Sequence, residues 1–301
     1  MKVKGQINAH LGTATGLVRE HNEDFVALRE PTDQEDEQQN GWIYLVADGV
    51  GGADAGEVAS KYASEQMIAQ FVTNDDEPDW GHRLINAMHA ANSNLRQLVA
   101  ERNDSSRMAT TMVAAVIHEN KVFIGNVGDS RGYHWRRGHF QQVTNDQSLV
   151  AKLVEEGAIT EAEALSHPRR NVILYSLGSE NKPKIDLFEL TLLPNDILFL
   201  CSDGLTRHVT DDEISQFLGK QSPEEASNKL IQLANQRGGE DNISVAIVQY
   251  EGNTAVDTAD THVNMTTTEP TINKAALWAY TGLLTVVLIF LIFFTWLMLR
   301  V

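Results

Sequence analysis

Five short stretches of this chain set an aspartate at the end of an apolar run: "NEDF" (Glu23, Asp24), "VADG" (Asp48), "GNVGDS" (Asp129), "LCSDG" (Asp203) and "GGEDN" (Asp241). One such residue is ordinarily a turn former. Five of them constrain the fold. If the ends of the runs converge, the carboxylates repel one another, and a cation between them offsets that cost. Carboxylates, a backbone carbonyl and water form the oxygen set that Mg²⁺ or Mn²⁺ prefers. Gly or a small polar residue follows three of the five, which lets a ligand approach the backbone closely.

The stretch "VADGVGGADAGE" (Val46 to Glu57) is glycine-rich but ends in no Lys and no Ser or Thr. It is therefore not a phosphate-binding loop of the P-loop kind. Glu57 reads as the first turn of a following helix, where a negative charge suits the dipole.

Across the 301 residues the net charge is −17, which disfavours nucleic acid and anionic head groups as partners. The single Cys excludes an intrachain disulfide. The start, "MKVKGQINAHLGTATG", has no apolar run and does not read as a signal peptide. From Ala275 to Leu299 there is no charged residue, and Trp278, Tyr280 and Trp296 stand near its two ends. That run matches the ~20 residues a helix needs to cross a bilayer, with an aromatic belt. Lys274 and Arg300 flank it evenly. With no signal in front, the long N-terminal part is expected to stay on the cytoplasmic face of the inner membrane. Residues 253–274 are rich in Thr, Asn and Asp and read as a flexible linker with a reach of about 25 Å. The expected domains are thus a catalytic unit (1–252), a linker (253–274) and a transmembrane helix (275–299).

Within the first unit, "DFVALRE" and "GWIYLVADG" read as strands joined by an acidic loop, "PTDQEDEQQN". Two amphipathic helices follow, "EVASKYASEQMIAQFV" and "GHRLINAMHAANSNLRQLVAER". Residues 110–144 read as a meander of three or four strands, and "DQSLVAKLVEEGAITEAEALS" as helix. "KIDLFELTLLPNDILFLCSDG" reads as two strands around a Pro-Asn-Asp turn. Ser222 and Glu225 give a capping signal for the last helix before the closing strand "NISVAIVQY". The class is α+β, with antiparallel sheets and helices layered outside them.

The stretches "GLVREHNEDF", "VADGVGGADAGEVAS", "MATTMVAAVI", "NVGDSRGY", "CSDGL" and "GGEDNISV" together resemble, in order and spacing, the metal-dependent Ser/Thr protein phosphatases of the protein phosphatase 2C family, bacterial branch. The resemblance covers nearly all of residues 5–250. It implies a four-layer α-β-β-α sandwich of two mostly antiparallel sheets, with two or three Mn²⁺ or Mg²⁺ ions at one end. By position it implies that Asp48 bridges two metals, that the Gly49 carbonyl binds one, and that Asp203 and Asp241 complete the set. Glu23 and Asp24 would act through water, and Asp129 with Asp203 would serve a third metal. Arg19 matches the residue that grips the substrate phosphate, and residues 147–171 match a flap beside the site.

Two cations close together acidify a water towards neutrality. The resemblance therefore implies direct attack of water on phosphorus, with no covalent enzyme intermediate. Cys201 is then a small core residue. Two positions depart from the pattern. Val50 stands where some members carry a His proposed as general acid, which leaves His21 or a water for that role. Gln147 stands where many have His. The expected substrates are phosphorylated proteins, with a transmembrane Ser/Thr kinase as partner. The alternatives are an inactive phosphoprotein-binding scaffold and a phosphoesterase acting on small molecules.

Overall fold

A computed structural model of the chain describes residues 7–51, 55–74, 77–102, 108–252 and 264–267. Its strands are numbered in chain order and form two antiparallel sheets. The first runs β1 (Ile7–Ala14), β11 (Ile243–Tyr250), β10 (Ile197–Cys201), β7 (Arg131–Arg136), β8 (His139–Gln142). The second runs β12 (Asn264–Thr267), β9 (Asp186–Thr191), β6 (Lys121–Val127), β5 (Met112–His118), β3 (Trp42–Val50), β2 (Asp24–Arg29). A two-residue strand, β4 (Ala109–Thr110), pairs with the end of β3. The helices are α1 (Gln34–Asn40), α2 (Ala55–Thr73), α3 (Trp80–Arg102), α4 (Leu149–Glu155), α5 (Glu161–Leu165), α6 (Asp203–Thr206), α7 (Asp211–Leu218) and α8 (Pro223–Gln236).

The alternation of side chains along β3 shows why the layers form. Ile43, Leu45 and Ala47 point one way and pack on Ala59, Ala63 and Met67 of α2 and Leu84 and Met88 of α3. Trp42, Tyr44 and Val46 point the other way, between the sheets, against Leu198, Leu200, Ala246 and Val248. The other faces of β10 and β11 carry Phe199, Cys201, Val245 and Ile247, covered by Leu205, Ile214, Leu218 and Leu230 of α6 to α8. Strands buried on both faces read as continuous apolar runs, as "GWIYLVA" does. The expected four-layer sandwich is therefore present, and Cys201 is a buried core residue as expected.

Several local expectations are corrected. The acidic stretch between β2 and β3 holds α1, because the Asp33 carboxylate accepts from Asp36 N and three acids occupy its first turn. The meander divides: β5–β6 is a hairpin in one sheet and β7–β8 a hairpin in the other. Likewise β9 and β10 belong to different sheets, although only a short turn joins them. Residues 149–165 form two short helices, α4 and α5, with Gly157 at φ +69° between them. Strand β1, which pairs with β11 over eight residues, was not read from the sequence. Within the segment read as a linker, Asn264–Thr267 pairs with β9 as an edge strand. The apolar run Ala275–Leu299 lies outside the described residues; among the described residues no helix is long and apolar enough to cross a membrane.

Candidate active site

The sheets bring the acids to one end of the sandwich. Asp24 opens β2 and Asp48 lies near the end of β3, directly opposite it in the antiparallel register. Asp129 follows β6, in the turn that carries the chain to the other sheet. Asp203 follows β10, and Asp241 precedes β11, the strand paired with β10. Ser202 joins the two sheets here: its Oγ donates to Asp24 Oδ2 at 2.8 Å. The main chain of Asp48 is held by Thr111, whose Oγ1 accepts from Asp48 N and whose own N donates to Asp48 O.

Glycine is required where these ends meet. A Cβ on Gly49 would lie 2.3 Å from Gly56 O and 2.5 Å from Glu23 O. A Cβ on Gly204 would lie 2.0 Å from Asn242 O. The glycines that follow Asp48 and Asp203 thus let the strand ends close together around the acids.

The cluster is electrostatically unfavourable as it stands. Burial pushes the Asp48 carboxyl well above the usual carboxylate range, and the charges of Asp24, Asp203, Asp129 and Asp241 push it further. Asp24 is raised to about 7 by burial, against hydrogen bonds from Ser244 and Ser202. Asp129 is raised to about 8 by burial and by Asp203 and Asp146. Asp203 is raised by burial, against the Arg207 guanidinium. Glu23 is raised by burial, against Arg19. Asp24 Oδ1, Asp129 Oδ1 and Asp203 Oδ1 are buried without a hydrogen-bond partner. Lone pairs left open in a mutually repelling, all-oxygen cluster suit a hard divalent cation. Among the described residues no three such groups are already drawn in around a single point.

Two guanidinium groups stand at the rim. Arg19, half exposed, reaches Asp241 Oδ1 at 2.8 Å. Arg207 bridges Asp203 Oδ2 and Asp241 Oδ2, the latter at 2.9 Å. Sequence reading singled out Arg19 and missed Arg207. The only signal for Arg207 was its position four residues after Asp203, one helical turn on.

Asn242 was missed as well. Its amide donates to Thr15 O and His21 O, and its Oδ1 accepts from Glu23 N at 2.8 Å. A single buried side chain therefore shapes the loop that carries Arg19, His21 and Glu23. Asn242→Ala is expected to destabilise the protein by about 1–3 kcal/mol, since it leaves those groups unpaired. The same change should raise KM for a phosphopeptide several-fold through Arg19; denaturant melts and steady-state kinetics measure the two effects.

The other expected residues fall as follows. His21 is exposed on the Arg19 loop, and its charge acts on Glu23. Val50 is 40% exposed at the end of β3 and offers no proton. Gln147 is buried; its Oε1 accepts from Gly128 N and its Nε2 donates to Asp186, so it anchors the turn before Asp129. The segment read as a flap begins at this anchor, with Ser148 capping α4.

Fold and site define a four-layer sandwich protein with a carboxylate-lined, oxygen-only centre at one end of its sheets. The family model for protein phosphatase 2C matches residues 19–236. The serine/threonine phosphatase stp of Listeria monocytogenes serovar 1/2a is 36% identical over 252 residues, covering 81% of this chain and 96% of that protein. The crystal structure of the serine/threonine phosphatase Stp1 from Staphylococcus aureus matches with a TM-score of 0.74 at 34% identity, covering 84% of this chain and 98% of that one. The catalytic domain of the serine/threonine protein phosphatase PstP, solved in complex with two manganese ions, matches with a TM-score of 0.69 at 32% identity, covering 81% and 98%. This chain belongs to the protein phosphatase 2C family of Ser/Thr phosphatases.

Proposed function

We propose that this chain hydrolyses phosphoserine and phosphothreonine in proteins, using divalent cations held at the carboxylate end of the sandwich. The observation that carries this reading is the set of unpartnered carboxylate oxygens on Asp24, Asp129 and Asp203 within a cluster whose charges raise one another. Asp48, Asp203, Asp241 and the Gly49 carbonyl would hold two Mn²⁺ or Mg²⁺ ions, Asp129 a third, and Glu23 and Asp24 would act through water. Bound there, the ions would neutralise the phosphate and acidify a water for in-line attack on phosphorus.

The protein's own groups do the rest. Arg19 presents a planar fork at the rim, suited to two phosphate oxygens. Asn242 fixes the Arg19 loop, and Thr111 fixes the main chain of Asp48. With Val50 unable to give a proton, His21 on the Arg19 loop is the candidate donor to the leaving serine or threonine oxygen.

The reading extends to the membrane. The uncharged run Ala275–Leu299 supports an anchor, with the catalytic unit on the cytoplasmic side. Held there, the enzyme would meet membrane-bound phosphoproteins, including a transmembrane Ser/Thr kinase, at raised effective concentration.

The full chain in mild detergent should release phosphate from a phosphothreonine peptide with Mn²⁺ and not with EDTA. Arg19→Ala should keep the metal requirement and raise KM. No release at any Mn²⁺ concentration would overturn the reading. Recovery of the full chain in the soluble fraction after cell lysis would remove the membrane part of it.

A further inference from the structure

The second guanidinium at the rim is where the structure departs from a bare carboxylate cage. Arg207 caps the C-terminus of α6, which Asp203 opens, with Arg207 N donating to Asp203 O at 3.0 Å. The guanidinium then turns back over the cluster. Its Nη2 meets Asp203 Oδ2 and its Nη1 meets Asp241 Oδ2 at 2.9 Å. Arg19 takes the other oxygen of Asp241. Both oxygens of Asp241 and one of Asp203 are thereby engaged by Arg, and of these four oxygens Asp203 Oδ1 is the one left buried without a hydrogen-bond partner.

We propose that Arg207 is the resident cation of this centre, neutralising Asp203 and Asp241 in the metal-free protein and yielding their oxygens when a divalent cation loads. The proposal rests on the metal-centre reading above. A guanidinium and a divalent cation require the same lone pairs, and their charges repel at that range. Loading is therefore an exchange: the cation enters as the Arg207 fork leaves. The exchange steadies the unloaded site and weakens its hold on metal. An ion pair with only a structural role would behave differently, since its loss would weaken the loaded and unloaded protein alike.

Isothermal calorimetry with Mn²⁺ on the full chain in detergent, with thermal melts in EDTA and in saturating Mn²⁺, tests this. Arg207→Ala should bind Mn²⁺ about tenfold more tightly, in keeping with the loss of two competing charge-assisted hydrogen bonds. It should melt lower than wild type in EDTA and near wild type in Mn²⁺. Arg207→Lys keeps the charge without the fork and should fall between the two. Equal or weaker Mn²⁺ binding by Arg207→Ala would overturn the proposal and leave the metal centre standing. A wild-type chain that binds no Mn²⁺ would overturn both. If Arg207→Ala does not fold in EDTA, folding restored by Mn²⁺ supports the exchange. Failure in both conditions passes the decision to Arg207→Lys, where wild-type affinity would overturn it.

Discussion

Asp48→Asn is expected to reduce phosphate release by a factor on the order of 10³, by analogy with the loss of a centrally placed electrostatic group. The same change should raise the melting temperature of the metal-free protein. The two effects have one cause. Asp48 sits where burial and four neighbouring carboxylates all oppose its charge. Asparagine has nearly the same shape and no charge, so it removes that repulsion, and the gain should grow as pH rises above the ordinary carboxylate range. The loss of activity follows because the charge that burial and its neighbours oppose is the one a cation needs. Differential scanning calorimetry in EDTA and in Mn²⁺ reads both sides: the variant should melt higher in EDTA and respond less to Mn²⁺. A variant that melts lower than wild type in EDTA at pH 8 would show that Asp48 is held by a favourable partner instead.

The second large effect is an inverted pH dependence of the metal-free protein. Asp24 is raised to about 7 and Asp129 to about 8 in the folded chain, from an ordinary value of 3.8. Carboxyl groups raised by folding are fully compatible with the fold below their unfolded value. The stability they contribute is lost as pH rises through the folded values. In EDTA the melting temperature should therefore fall steadily between about pH 4 and pH 8. Acids that folding lowers act in a different window: Arg237 and Thr210 hold Glu213 at about 2, so its contribution is already complete above the ordinary carboxylate range. Saturating Mn²⁺ should flatten or reverse the fall, because the cation binds the ionised carboxylates and its affinity grows with pH. Melts at intervals from pH 5 to pH 8.5 check this. A metal-free protein whose melting temperature holds steady or rises over that range would contradict it.

Much of the fold is written in local patterns. The run "GWIYLVADG" is apolar on both faces, and β3 is covered on both. The signal at Ser222 and Glu225 marks the observed capping box at the start of α8. Where local pattern misleads, distant partners decide. The turns "VGDS" and "PND" look like hairpin turns, yet each carries the chain from one sheet to the other. Which sheet a strand joins depends on the residues it meets across the sandwich, and these are distant in sequence. Strand β1 was invisible for a related reason. Only its pairing with β11 and its packing on α8 make "INAHLGTA" a strand.

The acids were legible one by one, each as an Asp at the end of an apolar run. Their number and spacing suffice to propose a cation centre, because carboxylates gathered without a counter-charge repel. What tertiary structure alone decided is which charges meet. Asp24 faces Asp48 through strand register, Ser202 ties Asp24 to the other sheet, and Asn242 shapes the Arg19 loop from more than two hundred residues away. Arg207 shows the division most sharply. In sequence it is one more charge just past a short helix. Its place between Asp203 and Asp241 exists only because β10 and β11 pair side by side, and electrostatic forces act through space rather than along the chain.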